Sequence, residues 1–275
     1  MIQRYKHPLQ FYIFSTLIPW GFWLVAAYLS HRPEADSLGW LVSSLGLAGL
    51  SAPLLVAGYL IHKDRQVFGD VIQRVLTVRP ANRRYFVYAL LLMPASILLA
   101  MAISLLLGYS TDQFIVTGRA TFTSGVLPVW FLLVMAPVLE EAAWHSYGTD
   151  CLRQKFSLFT TSMIFALFWA LWHVPLALIK GYYHSNLVAE GVIYSVNFLV
   201  SVFPFVILMN WFYYKTNRNI MVTIIIHLFA NVFNEIFATH PDSKIIQTGL
   251  LTVLAIFVLI KDRANFFTSD YTSRP

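Results

Sequence analysis

Apolar residues run along this chain in long stretches, and most of the charged ones gather between them. Eight stretches are long enough to cross a hydrocarbon core of about 30 Å. They run from about Leu9 to Leu29, Leu38 to Ile61, Phe86 to Gly108, Val126 to Gly148, Leu158 to Ile179, Gly191 to Tyr214, Ile220 to Ala238 and Ile245 to Ile260. Each predicts a helix, because a segment in lipid must satisfy its own backbone polar groups. The first stretch lacks an A-x-A cleavage signal and is followed by similar runs, so it predicts a span rather than a signal peptide. Between the second and third, Val67, Phe68, Val71, Ile72, Val75 and Leu76 recur at helical spacing opposite Asp70, Gln73 and Arg74. That pattern predicts a helix lying along the membrane surface rather than a ninth span. The expected fold is all-α: a polytopic transmembrane helical bundle of about eight spans with a cytoplasmic interfacial helix. No internal repeat or low-complexity linker divides residues 1–275, which predicts a single domain whose motif-bearing half is 126–238.

Composition excludes a soluble protein. The 275 residues are 58% hydrophobic and 12% charged, with a mean hydropathy of +0.65, whereas a soluble domain carries about twice that charge. The lone Cys151 cannot form an intramolecular disulfide and reads as a small core residue. Charge sets the orientation. Fifteen lysines and arginines fall at the N-terminus (Arg4, Lys6), in the loop from Lys63 to Arg84 that includes Arg74 and Arg79, at Arg153 and Lys155, at Lys215 and Arg218, and in the tail with Arg274. The opposite loops hold only Arg32, Arg119, Lys180 and Lys244. The positive-inside rule then puts both termini in the cytoplasm. The net charge of +6 lies where anionic headgroups would meet it, so membrane lipid is an expected partner. No basic stripe points to nucleic acid.

The stretch APVLEEAAWHSYG, residues 136–148, interrupts this pattern. Glu140, Glu141 and His145 fall inside the fourth span, His173 inside the fifth and His227 inside the seventh, with Glu235 nearer an end. An ionisable group in hydrocarbon marks function by default, because lipid offers it no partner. The alternative is an interhelical hydrogen-bonded clamp. On a helix Glu140 and Glu141 diverge by about 100°, so only one points fully into a shared site. Glu141 shares a face with His145, Glu140 with Trp144, and His227 with Asn231. Carboxylates, imidazoles and an amide from separate helices are the parts needed to activate water and hold an oxyanion.

These residues resemble the CAAX prenyl endopeptidase family of intramembrane proteases, the type II CAAX endopeptidases. The family's motifs EExxxR, FxxxH and HxxxN correspond here to EEAAWH from Glu140, WALWH from Trp169 to His173 and HLFAN from His227 to Asn231, in the same order on separate spans. Trp169 replaces the family's phenylalanine and His145 its arginine. The resemblance implies that Glu140 is the general base on a water, assisted by His173, while His227 and Asn231 stabilise the oxyanion. Glu141 and His145 support them. The implied substrate is a prenylated C-terminal CAAX peptide or protein, entering from the cytoplasm and losing its last three residues, with no cofactor.

Three alternatives stay open. Glu140, His173 and His227 could instead hold zinc, although HExxH is lacking and Asn231 is a poor zinc ligand. Buried Glu and His also suit a transporter or proton relay, which would favour repeated halves and discontinuous helices. His145 in place of arginine allows a catalytically silent protein. Counting along the helices, Arg153 lies about 20 Å from Glu140 and Arg218 about 14 Å from His227, so the site is expected nearer the basic side. His173, about 27 Å past Lys155, does not match that depth.

Overall fold

The structure, a computed structural model, describes residues 1–77, 82–117, 120–123 and 125–268. Arg79, Arg119 and Arg274 of the charge pattern and the Leu76 side chain lie outside what it describes. The described chain is largely helical and forms α1 (Pro8–Ser30), α2 (Gly39–His62), α3 (Arg65–Leu76), α4 (Arg83–Leu105) and α5 (Val129–Ala143). A π-helical segment, Trp144–Gly148, joins α5 to α6 (Thr149–Arg153). The chain continues through α7 (Leu158–Trp172), α8 (Tyr183–Glu190), α9 (Val192–Lys215), α10 (Ile220–Glu235), α11 (Pro241–Lys261) and α12 (Arg263–Phe267).

Six helical segments are long and apolar enough to cross a membrane: α1, α2, α4, α7 with the turn that extends it to Leu178, α9 and α11. The two other expected spans are shorter or interrupted. The α10 helix has sixteen residues, and the α5 helix passes through the π segment before α6. Both carry site residues. They are flanked by longer helices in two packed cores. One joins α1, α2, the π segment, α7 and α9, and the other joins α4, α9, α10 and α11. Outward-facing Leu9, Leu17, Leu55, Leu91, Val253 and Ile260 are exposed on the long helices, as expected of residues that face lipid tails.

Local sequence explains where the key helices stop and bend. The Asp64 side chain caps α3 by accepting from the Gln66 and Val67 amides, and Asn219 caps α10 by accepting from Met221 N. Pro175 ends α7, because a proline disfavours helix in the preceding residue and offers no N–H; the chain tightens to 3-10 geometry at Val174–Leu178. Pro137, inside α5, leaves the Leu133 carbonyl four residues earlier without its helical donor. The π segment fits tightly: a Cβ on Gly148 would stand 2.6 Å from Phe11 Cε1, so any larger residue there displaces the ring.

The interfacial helix α3 forms as expected, with Val67 buried and Val71 packed on the core, but Arg74 of its polar face is turned inward as well. Phe68 and Ile72 are 50% and 44% exposed, while Arg74 is only 6% exposed. Its polar side is drawn inward by ion pairs from Arg74 Nε to Asp70 (2.9 Å) and from Arg74 Nη1 to Asp150 (3.2 Å). Arg218 joins the same pair of carboxylates at 2.7 and 2.6 Å. Arg153 is buried too, and donates to the carbonyls of Phe156 and Thr268. Three of the fifteen basic residues therefore serve the interior of the fold rather than lipid headgroups.

Candidate active site

The α5 helix carries two carboxylates into the bundle. Glu140 Oε2 accepts from two indoles, Trp144 Nε1 on the next turn (3.3 Å) and Trp169 Nε1 on α7 (2.9 Å). Its second oxygen is left facing the cavity that Glu140 lines. The exchange of phenylalanine for Trp169 thus adds a donor that phenylalanine lacks. The same indole packs edge-on against His227, with ring centroids 5.2 Å apart.

Glu141 is fully buried and bonds two histidines: His227 Nδ1 at 2.8 Å through Oε1, and His145 Nδ1 through Oε2. A carboxylate only accepts, so each ring donates from Nδ1. A chain of bonds then settles the other side of His145. Ser162 gives its single proton to Leu158 O, and so accepts from Asn210 Nδ2 at 2.9 Å. This turns Asn210 Oδ1, which can only accept, toward His145 Nε2 at 3.0 Å. Both ring nitrogens of His145 thus have oxygen partners, Glu141 Oε2 and Asn210 Oδ1. His145 stands against Glu141 where the motif it resembles has arginine.

His173 caps α7, and its Nδ1 donates to Trp169 O at 2.6 Å, which leaves Nε2 as the nitrogen available to a reactant. Asn231, one turn beyond His227 on α10, directs its amide to the Leu133 carbonyl that Pro137 frees, at 3.5 Å. Glu140, His173, His227 and Asn231 all line one cavity of about 400 Å³ whose remaining wall includes Trp23, Leu50, Leu133, Trp172, Phe198 and Phe205. All four proposed catalytic residues are thus brought together, and Glu141 with His145 stands behind His227. Among the described residues, no three His, Cys, Asp or Glu side chains are grouped so as to hold a metal ion.

The cavity also reaches the end of the bundle away from the basic one. Its rim comprises Thr121, Thr123, Asn186, Glu190, Glu235 and Lys244, at the end of the bundle where α5 and α9 begin and α10 finishes. His173 lies at that end of α7, about 23 Å from the first residue of the helix. The two depths expected from the helices both persist: α7 begins at Leu158, beside the basic end, and runs its whole length before His173, whereas His227 stands seven residues after the start of α10.

The chain is similar to known proteins. Residues 122–233 match the family model of the type II CAAX prenyl endopeptidase, Rce1-like. A protein of Methanococcus maripaludis named CAAX prenyl protease 2 is 34% identical over 270 residues, which cover 97% of this chain and 98% of that one. This chain belongs to that endopeptidase family. It is a membrane-embedded protease, and the matched residues 122–233 include Glu140, Glu141, His145, His173, Asn210, His227 and Asn231.

Several contributors had escaped the sequence. Asn210 and Ser162 are neutral residues within apolar helices, and their pattern carries no signal. His184 stands with its ring centroid 5.1 Å from that of His173 and with Nε2 lacking a hydrogen-bond partner among the described residues. It comes only a few residues after the apolar fifth stretch and reads as a loop histidine. Arg74 was visible, but as a loop charge. It donates to the carbonyls of His145 and Ser146, both at 3.0 Å. The π segment shifts these carbonyls out of the regular α-helical ladder.

Proposed function

We propose that this protease removes the C-terminal tripeptide from prenylated CAAX proteins with a water activated by Glu140. The observation that carries the proposal is the convergence of Glu140, His173, His227 and Asn231 on one largely apolar cavity. The apolar wall suits a prenyl chain, and the polar cluster suits a peptide bond. Glu140, held by two indoles on Oε2, takes a proton from water on its other oxygen while His173 Nε2 orients that water. The hydroxide adds to the scissile carbonyl, whose oxygen gains the negative charge. His227 and Asn231 donate to it. Since His227 Nδ1 is committed to Glu141, donation from Nε2 requires the doubly protonated ring, with Glu141 as its counter-charge. Collapse breaks the C–N bond, and the proton taken by Glu140 passes to the leaving amine. No acyl-enzyme forms, and no Ser or Cys nucleophile is used.

Incubation of the purified protein with a farnesylated CAAX peptide, with products identified by mass, is expected to give the free tripeptide and the shortened farnesyl-cysteine peptide. The rate is expected to be unchanged after exhaustive chelation. Activity that is lost to a chelator and restored by zinc would replace the Glu140 base with a metal held by Glu140, His173 and His227.

The orientation bears on how substrate arrives. We infer from the distribution of lysine and arginine that both termini lie in the cytoplasm. The end of the cavity lined by Glu235 and Lys244 then faces the other side of the membrane, so a peptide coming from the cytoplasm needs a path other than this rim. Tags at both termini are expected to be protected from protease added outside intact cells. Cleavage of those tags would reverse the orientation and open the rim directly to cytoplasmic tails.

A further inference from the structure

Lys244, four residues into α11, is the only lysine or arginine among the described residues that line the cavity, whose other ionisable residues include Glu140, Glu190, Glu235 and three histidines. Its side chain is 17% exposed. Its ammonium lies 5.6 Å from the centre of the Tyr183 ring and 3.9 Å from Glu235 Oε1, too far for a hydrogen bond. Glu235 is 2% exposed and is spoken for on its other side: Oε2 accepts from both the backbone N–H and the hydroxyl of Thr121, each at 2.8 Å. Oε1 has no hydrogen-bond partner among the described residues. Thus a carboxylate pinned by Thr121 holds a cation at the cavity rim, and the donors of that cation remain open to a ligand.

The spacing defines the ligand. His227 and Glu235 are eight residues apart on α10, about 12 Å along the axis. An extended tripeptide, measured from the bond that precedes it to its terminal carboxylate, spans about 10 Å. A scissile carbonyl beside His227 would therefore place the chain end beside Lys244. We propose that Lys244, backed by Glu235, binds the free C-terminal carboxylate of the substrate and so fixes cleavage three residues from a chain end. This rests on the peptidase reading above. Without Lys244 the terminal carboxylate would share the cavity with Glu190 and Glu235 and no compensating fixed cation. With it, the charge-assisted bond rewards a free chain end and discriminates against an internal peptide.

The test uses the full-length protein in detergent and two farnesylated CAAX peptides that differ only in a free or amidated C-terminus. A hydrogen bond between charged groups predicts that the wild type favours the free acid by about tenfold to a hundredfold in kcat/KM, mainly through KM. Lys244→Met is expected to lower the rate on the acid to that on the amide and to leave the amide rate unchanged, which also shows that the variant is folded. Lys244→Arg is expected to retain the preference. Equal wild-type rates on acid and amide, or an equal loss on both in Lys244→Met, would overturn the assignment. A wild type that cleaves neither peptide would sink the peptidase reading itself, and the subsite with it.

Discussion

Replacing Glu140 with glutamine is expected to abolish cleavage while leaving the protein folded. The glutamine oxygen can still accept from Trp144 and Trp169, the two indoles that hold Oε2, so packing and hydrogen bonding survive. What disappears is the basic oxygen facing the cavity, and general-base catalysis contributes roughly a hundredfold to ten-thousandfold. His173→Ala is expected to come close to that loss. Asn231→Ala is expected to be milder, because one oxyanion donor typically accounts for about a hundredfold to a thousandfold. The measurement is single-turnover cleavage of a farnesylated peptide alongside a thermal melt. Wild-type rates in Glu140→Gln would end the water-activation mechanism, whereas a collapsed melt would show that the carboxylate serves packing instead.

Arg74→Ala is expected to have the largest effect on stability although Arg74 lies outside the cavity lining. Its guanidinium joins groups from different parts of the chain: Asp70 and Tyr5, Asp150, and the carbonyls of His145 and Ser146. Deleting it leaves Asp150, which has no exposed side-chain surface, to Arg218 and two tyrosines, and strips two π-segment carbonyls of a donor. Breaking a buried ion pair from one side costs about 3–5 kcal/mol. Arg74→Lys is expected to recover only part of this, since a compact ammonium with three donors cannot span the acceptors that the five donors of a planar guanidinium reach. An unchanged melting temperature in detergent for Arg74→Ala would mean that the cluster is incidental.

The contrast between these two residues shows what the sequence could reveal. Glu140, Glu141, His145, His173 and His227 stand out because an ionisable side chain in an apolar run has few reasons to be there. Arg74 and Arg218 sit among many other basic loop residues, and a linear pattern does not distinguish a guanidinium folded inward from one in contact with headgroups. The same limit holds for the interfacial helix, where periodicity found two faces of α3 but not that Arg74, on the polar one, would be buried beside Val67. The α5 span read as one uniform helix because a π segment has no signature in residue type. Asn210 was missed for a related reason: its role depends on Ser162, 48 residues earlier, and exists only once α7 and α9 pack together.

The π segment also acts as a phase setting for the helix that contains it. One residue more than regular α-helix would use amounts to about 100° of rotation between the turns on its two sides. Upstream, Glu140 and Glu141 are aimed at the cavity and at His227; downstream, Asp150 is aimed at Arg218, Tyr213 and Tyr214. A regular helix over the same residues would turn one of these sets by that angle relative to the other. The reactive end and the anchored end of the segment are geared to each other, and a change of one residue in the length of Trp144–Gly148 would swing one of them out of register even with every functional side chain still in place.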